Sequence, residues 1–371
     1  MLKNTMITVT DTFESARFYD LEHELNKKYE NKKVAYFDIE TTGFSSKSQQ
    51  IYLIGAAYKN EDSNTFTVIQ WFDDTSHDEC KLLLMFREFL KDFDILVDYN
   101  GNSFDIPFIK NRGIKHGILF NFDKFVLIDL YLEIKKYRGF LKTPDLKQKS
   151  IELFLNINRE DEYDGGRLIE IYKDYIKEPS KSKNLLSLLM LHNHDDIIGL
   201  VNICDILAYP KLLAGCFTVE QLTFEHLQIR IKCKLNFKLK SPVFDRNYGI
   251  SFEAHDNTLT ILIPIENREL KYFYDNYKEY YYLPGEDMAI HKSVAQFVDK
   301  NHRIKATKEN CYIKKAGMFA IQLSEIFKPA FQQNYNDKIF YFEINEADAS
   351  SVPHKDWQIY ITDILNHISL S

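Results

Sequence analysis

Cysteine is scarce in this chain of 371 residues, at five positions, Cys80, Cys204, Cys216, Cys233 and Cys311, with no Cys-x-x-Cys pair among them. Such scattering excludes a zinc ribbon or a disulfide framework and suits a reducing, cytoplasmic setting. Apolar runs of membrane-spanning length are also missing, and the opening Met-Leu-Lys-Asn-Thr-Met-Ile-Thr has no apolar core long enough for a signal peptide. A soluble protein with no membrane partner is therefore expected. Positive charge is in deficit: 47 Lys and Arg face 54 Asp and Glu, a formal net charge of −7. That balance argues against tight, nonspecific grip on a duplex, though not against holding one strand end. There is no internal repeat and no low-complexity stretch.

What the chain does have is apolar content, 45%, enough for one large core or two ordinary ones, with two the better expectation. The excess of acid is uneven. Residues 1–216 hold 28 Lys and Arg against 34 Asp and Glu, whereas 217–371 hold 19 against 20.

Four of the acids, Asp38, Glu40, Asp105 and Asp196, stand in segments with a common character. Val34-Ala-Tyr-Phe-Asp38-Ile-Glu40-Thr-Thr-Gly43-Phe44 reads as a strand with two carboxylates on one face, because residues two apart in a strand point the same way. Val97-Asp-Tyr-Asn100-Gly101-Asn-Ser-Phe104-Asp105 runs from apolar residues through a glycine loop into an acid. Leu189-Met-Leu-His192-Asn193-His-Asp195-Asp196 has helical periodicity, with His192 and Asp196 one turn apart on one face. Gathered carboxylates repel and raise one another's pKa, so such a cluster calls for a cation. Oxygen ligands without nearby thiolates select Mg²⁺ or Mn²⁺. Two such ions about 3.5 to 4 Å apart suit phosphodiester hydrolysis.

These words resemble the DEDD, or DnaQ-like, exonucleases of the ribonuclease H-like superfamily. Phe-Asp38-Ile-Glu40-Thr-Thr-Gly is similar to the family's first motif, and Tyr-Asn100-Gly-Asn-Ser-Phe104-Asp105 to its second, near the version in proofreading domains of family B DNA polymerases. The likeness extends from about Lys33 to about Leu207. It implies an α/β fold, a ribonuclease H-like mixed five-stranded sheet with flanking helices. It also implies a two-metal 3'-to-5' exonuclease acting on single-stranded DNA or RNA. Asp38 would bridge both ions, Glu40 and Asp196 would ligate the tighter one, and Asp105 would act through the second ion's waters. His192 would hold the general base's place, with a departure: one branch of the family has tyrosine four residues before the last aspartate, the other histidine five before it, and this chain has histidine at the tyrosine's spacing. An imidazole is an apt base near neutrality. In relatives the turn after the first motif meets the terminal nucleotide, which makes Thr41, Thr42, Gly43 and Phe44 substrate candidates, with Asn100 beside them. Phe44 reads equally as a base wedge or a core plug, and Asn100 as a turn former or a nucleotide contact. A catalytically impaired nucleic-acid-binding module and an endonuclease on the same fold are the alternatives.

Other acids and histidines have plainer expectations. Asp129 reads as the cap of a helix from Leu130, Asp105 as a helix N-cap in addition to any other role, Asp195 as a solvated neighbour of Asp196, and His194 as a surface residue.

Residues 11–30, with Phe13, Phe18, Leu21 and Leu25 at helical spacing, predict an amphipathic lead-in helix within 1–32. The nuclease-like domain is expected over 33–210. Its strands fall at 34–39, 50–58, 65–72 and 94–98, its helices at 77–91 and from 105, and mostly helical segments follow to 207. After a break between Tyr209-Pro210 and Gly215, an α+β domain is expected over 217–371. It opens with Arg230, Lys232, Lys234, Lys238 and Lys240 alternating with apolar residues, a strand with one basic face. Strands at 249–255 and 258–265 around a His-Asp-Asn turn come next. A helix at 286–300, strands at 311–321 and 338–344, and a helix at 354–368 complete it. The basic face reads as ordinary solvated, edge-protecting lysines or as a phosphate-tracking surface.

Overall fold

The computed structural model describes residues 6–369 except 62, 162, 164, 226 and 346–351. It divides into two compact units, Met1–Tyr209 and Pro210–Ser371. Among the described residues no helix is long and apolar enough to cross a membrane.

The first unit is built on a six-stranded mixed sheet in the order β1-β4-β3-β2-β5-β6, formed by Met6–Glu14, Thr65–Asp73, Ile51–Lys59, Val34–Thr41, Ile95–Asp98 and Val126–Asp129. β2 runs antiparallel to β3 and parallel to β5. In β2 the side chains alternate, so Phe37 and Ile39 enter the core under α2 (Glu79–Phe89) and α3 (Asp105–Lys115), with Leu82, Leu83, Phe86, Ile106 and Ile109. Asp38 and Glu40 consequently face the other side. There α7 (Gly165–Lys177) and α8 (Lys183–Asn202) cover the sheet, and Tyr52, Leu53 and Phe72 pack on Leu168, Tyr172, Tyr175 and Leu189. Each such side chain taken from water contributes about 1.5 to 3 kcal/mol.

Two expectations change here. The sheet has a sixth strand, β1, where a lead-in helix over 11–30 was expected; the helix is confined to α1, Leu21–Tyr29. β1 pairs along its whole length with β4, from Met6 opposite Asp73 to Glu14 opposite Thr65. The backbone hydrogen bonds of a free sheet edge outweigh the helical spacing of Phe13 and Phe18. Residues 1–5 of the expected 1–32 lead-in region lie outside the described residues. The parallel strand β6, which ends at Asp129, completes the opposite edge.

The second unit is β-rich. A six-stranded antiparallel sheet has the order β14-β15-β13-β9-β8-β7, with β7 at Phe217–Glu225, β8 at Gln228–Asn247, β9 at Ile250–Phe273, β13 at Tyr312–Gln322, β14 at Ala330–Phe331 and β15 at Phe340–Glu343. β8 buries Ile231, Cys233, Leu235 and Leu239 and exposes Lys232, Lys234 and Lys238, the alternation its sequence predicts. The expected His-Asp-Asn turn is not a turn: β9 passes through it as one strand, with Asp256 at φ 51° at a register shift. That polar triplet forms a bulge, which interrupts alternation without ending the strand. Where a helix at 286–300 was expected, β11 (Met288–His291) pairs with β10 (Tyr280–Leu283) in a three-stranded sheet that β12 (Ile304–Lys305) completes, and only Lys292–Ala295 is α-helical. The closing helix, His354–Ser369, buries Trp357, Tyr360, Ile361, Ile364 and Leu365.

Candidate metal centre

Three elements deliver the expected residues to one place. β2 presents Asp38 and Glu40, the start of α3 presents Asp105, and α8 presents His192 and Asp196. Ligand atoms of Glu40, His192 and Asp196 lie within 4.8 Å of one another. His192 Nε2 is 3.1 Å from Asp196 Oδ2 and 3.4 Å from Glu40 Oε1. Asp105 accepts the backbone N–H of Ile39 at 3.3 Å, which ties the start of α3 to β2 between the two strand carboxylates. Asp38 accepts from Asn193 Nδ2 at 3.2 Å.

The electrostatics are those of crowded acids. Burial, then the charges of Asp105 and Asp196, hold Asp38 well above the usual carboxylate range. Burial does the same to Glu40; the neighbouring His192 opposes it, while Asp38 and Asp196 add to it. For Asp105, burial and the nearby Asp98 push the pKa up to about 8. Asp196 moves the other way: burial raises it, but the hydrogen bond and charge of His192, with Arg159, hold it low. His192 is the complement of these acids. Burial disfavours its cation, yet the bond and charge of Asp196, with Glu40 and Asp161, push it up to about 9. Carboxylates crowded together, three of them raised by burial and by neighbouring charge, with hard oxygen donors converging and no thiolate among them, fit a divalent cation such as Mg²⁺ or Mn²⁺. Asp38, Glu40, Asp105 and Asp196 are the residues that would hold it.

The turn after β2 is internally tied. Thr41 is buried and donates to the Gly43 carbonyl at 2.9 Å, and Thr42 Oγ1 meets Gln49 Oε1 at 2.9 Å and the Gln50 N–H at 3.0 Å. Gly43 sits at φ 155° against the Gln49 side chain. Arg112, itself held by the buried Glu79, reaches the Ser46 carbonyl at 3.2 Å and anchors the following loop. Phe44 projects from that loop 86% exposed, which rules out the core plug, and meets Phe104 edge-on at 6.5 Å between ring centres. Asn100 is in the left-handed region at φ 66°, and its N–H donates to Asp129 at 2.9 Å. Asp129 accepts the Asn102 and Leu132 N–H groups as well, so it caps α4 (Leu130–Lys135) and shapes the loop leading to Asp105.

Several residues stand differently from their expectation, or had none. Asp195 is no solvated neighbour: its Oδ2 accepts the N–H groups of Glu160 and Asp161, both at 2.8 Å. His194 is half-buried, 3.6 Å from Asp11. Asn193 is fully buried, and its Oδ1 also accepts from Gln70 Nε2 at 2.9 Å. Gly55 permits this, since a Cβ there would collide with the Asn193 side chain and Ile197. Arg159, Asp161 and Glu152 surround His192 and Asp196 from behind. The helical phase of Asn193, next to His192, was the one sequence signal for any of these.

Residues 35–208 match the RNase_H_2 family, described as RNase_H superfamily. The chain is 30% identical over 194 residues to the uncharacterized protein YprB of Bacillus subtilis (strain 168), across 49% of this chain and 44% of that protein. The match thus spans less than half the length of this curated relative. Among solved structures, a family B DNA polymerase from the hyperthermophilic archaeon Pyrobaculum calidifontis matches with TM-score 0.38 and 18% identity, over 50% of this chain and 26% of that one. Residues 35–208, the stretch similar to the RNase_H superfamily, carry every acid of the centre.

Proposed function

We propose that this chain is a metal-dependent 3'-to-5' exonuclease that removes nucleotides one at a time from single-stranded DNA or RNA. The observation that carries the reading is the convergence of Asp38, Glu40, Asp105 and Asp196 from distant segments onto one half-buried spot, beside a histidine whose Nε2 faces two of them. The superfamily match over the same residues supports it.

Two Mg²⁺ or Mn²⁺ ions, when bound, would neutralise the reacting phosphate and make water a better nucleophile near neutral pH. The four carboxylates would hold and orient that charge. Once a cation balances them, His192 no longer has to, and its Nε2 is free to accept a proton from the attacking water. Water oxygen then bonds to phosphorus as the bond to the preceding 3' oxygen breaks, and that oxygen takes up a proton. The products are a nucleoside 5'-monophosphate and a strand one residue shorter. Phe44, exposed beside Phe104, offers the terminal base a stacking surface.

Direction of attack is tested with single strands whose terminal linkage at either the 3' or the 5' end is a phosphorothioate, incubated with Mn²⁺. Protection by the 3' block alone is expected. Protection by the 5' block, or internal cuts unaffected by either, would replace the exonuclease reading with a 5'-directed or endonucleolytic one.

A further inference from the structure

Between α6 (Gln148–Phe154) and α7, the segment Arg159–Asp161 lies along α8 and meets it at three successive groups. Asp161 Oδ2 is 2.6 Å from His192 Nδ1. Arg159 Nη2 donates to Asp196 Oδ1 at 2.7 Å. In return, Asp195 takes both free N–H groups of Glu160 and Asp161. Behind the segment, Glu152 receives Arg159 Nη1 on both oxygens at 3.0 Å, and Gln148 Nε2 bridges Glu152, at 2.9 Å, to the Asp196 carbonyl, at 2.8 Å. Gly199 leaves the room Glu152 occupies, because a Cβ there would overlap its carboxylate. The side chains of Asp161 and Glu152 are each 1% exposed.

We infer that Arg159 and Asp161 are positioning residues, a brace that fixes the two reactive groups of α8. The inference rests on the nuclease reading of the site. A histidine has two ring nitrogens, and the partner of one decides which way the other points. Asp161 engages Nδ1, so Nε2 is the atom turned toward Glu40 and Asp196. Arg159 likewise engages Oδ1 of Asp196 and leaves Oδ2 toward the centre. One clamp, Asp195, holds the segment that carries both, so three side chains within two turns of α8 are set by a single loop. Neither Asp161 nor Arg159 is placed to touch the substrate; each acts through the group it holds.

Two measurements on the full chain test this. In metal-free protein, proton NMR should show a downfield ring N–H resonance that His192→Gln removes and Asp161→Asn shifts or abolishes. An unaltered resonance in Asp161→Asn would overturn the brace, whether or not the protein cleaves nucleic acid. In Mn²⁺-dependent cleavage, Asp161→Asn should lower kcat about 10- to 100-fold with KM unchanged. The same substitution should add nothing in a His192→Gln background, since a residue acting only through another has no effect once that one is gone. An equal loss in both backgrounds, or a rise in KM alone, would contradict the proposal. If Asp161→Asn fails to fold, Asp195→Ala releases the segment while leaving His192 and Asp196 in place and should give the same fall in kcat; normal turnover would sink the idea. Wild-type protein without any metal-dependent cleavage would remove the nuclease reading, and the resonance would still decide the hydrogen bond.

Discussion

The amide of the buried Asn193 joins α8 to β2 by donating to the half-buried carboxylate of Asp38. A neutral donor is the mildest partner a half-buried carboxylate can have: it satisfies a lone pair without cancelling the charge that a cation needs. Replacing it by an acid, Asn193→Asp, adds a carboxylate to a site that is already repulsive. Thermal unfolding without metal should show destabilisation of about 1 to 3 kcal/mol, with much of the loss recovered on adding Mg²⁺. An unchanged midpoint would mean that Asn193 and Asp38 do not meet.

Stability of the metal-free protein should fall as pH rises through the neutral range. His192 has its pKa raised from 6.5 to about 9, so its contribution is complete below the lower value and lost as pH passes the higher. Asp105, raised from 3.8 to about 8, binds more protons folded than unfolded across that window, and its effect has the same sign. Asp38 and Glu40 are raised as well, whereas the lowered Asp196 and Asp161 matter only in acid, where stability is lost as pH falls. Divalent cations favour the ionised acids, so the midpoint shift they cause should grow with pH, reaching about 5 to 10 °C at a hundredfold excess over Kd. Differential scanning fluorimetry from pH 5 to pH 9, with Mg²⁺ or EDTA, reads this directly; a metal shift that is flat or shrinks with pH would count against the site.

His192→Ala should lower turnover by roughly 10²- to 10⁴-fold while metal binding is largely kept. Isothermal titration with Mn²⁺, run beside single-turnover cleavage, separates the two effects. Near-normal turnover would show that another group takes the proton.

Phe44 can be truncated without disturbing the core, because it is 86% exposed. Phe44→Ala should leave thermal stability unchanged and weaken binding of a strand's end by about 1 to 3 kcal/mol, the worth of one stacked base. Equal affinity of the two proteins for a single-stranded oligonucleotide in Ca²⁺ would remove Phe44 from the substrate surface.

Much of the centre was legible because its chemistry is written in local spacing. Asp38 and Glu40 are two apart in a strand, His192 and Asp196 are four apart in a helix, and Asp105 follows a glycine loop at a helix start, so each periodicity fixes a direction. The supporting residues were illegible for the opposite reason. Asp161 reaches His192 across 31 positions and Gln70 reaches Asn193 across 123, and no local pattern encodes such a meeting. Strand β1 was hidden because Phe13, Phe18, Leu21 and Leu25 straddle a strand and a helix, and their summed spacing imitates one helix. In the second unit, Met288–His291 is too short for its period to separate strand from helix, whereas β8, twenty residues of alternation, announced itself.

The central claim is that the clustered carboxylates of this chain hold the metal that cleaves nucleic acid from a 3' end. Its most direct measurement is single-turnover digestion of 5'-labelled single-stranded DNA and RNA by wild-type protein and by Asp38→Asn, with Mn²⁺ or with EDTA. A ladder shortening one nucleotide at a time with Mn²⁺, absent with EDTA and absent in Asp38→Asn, is the predicted result. Laddering by Asp38→Asn at the wild-type rate, or none by the wild type on either strand, would contradict it.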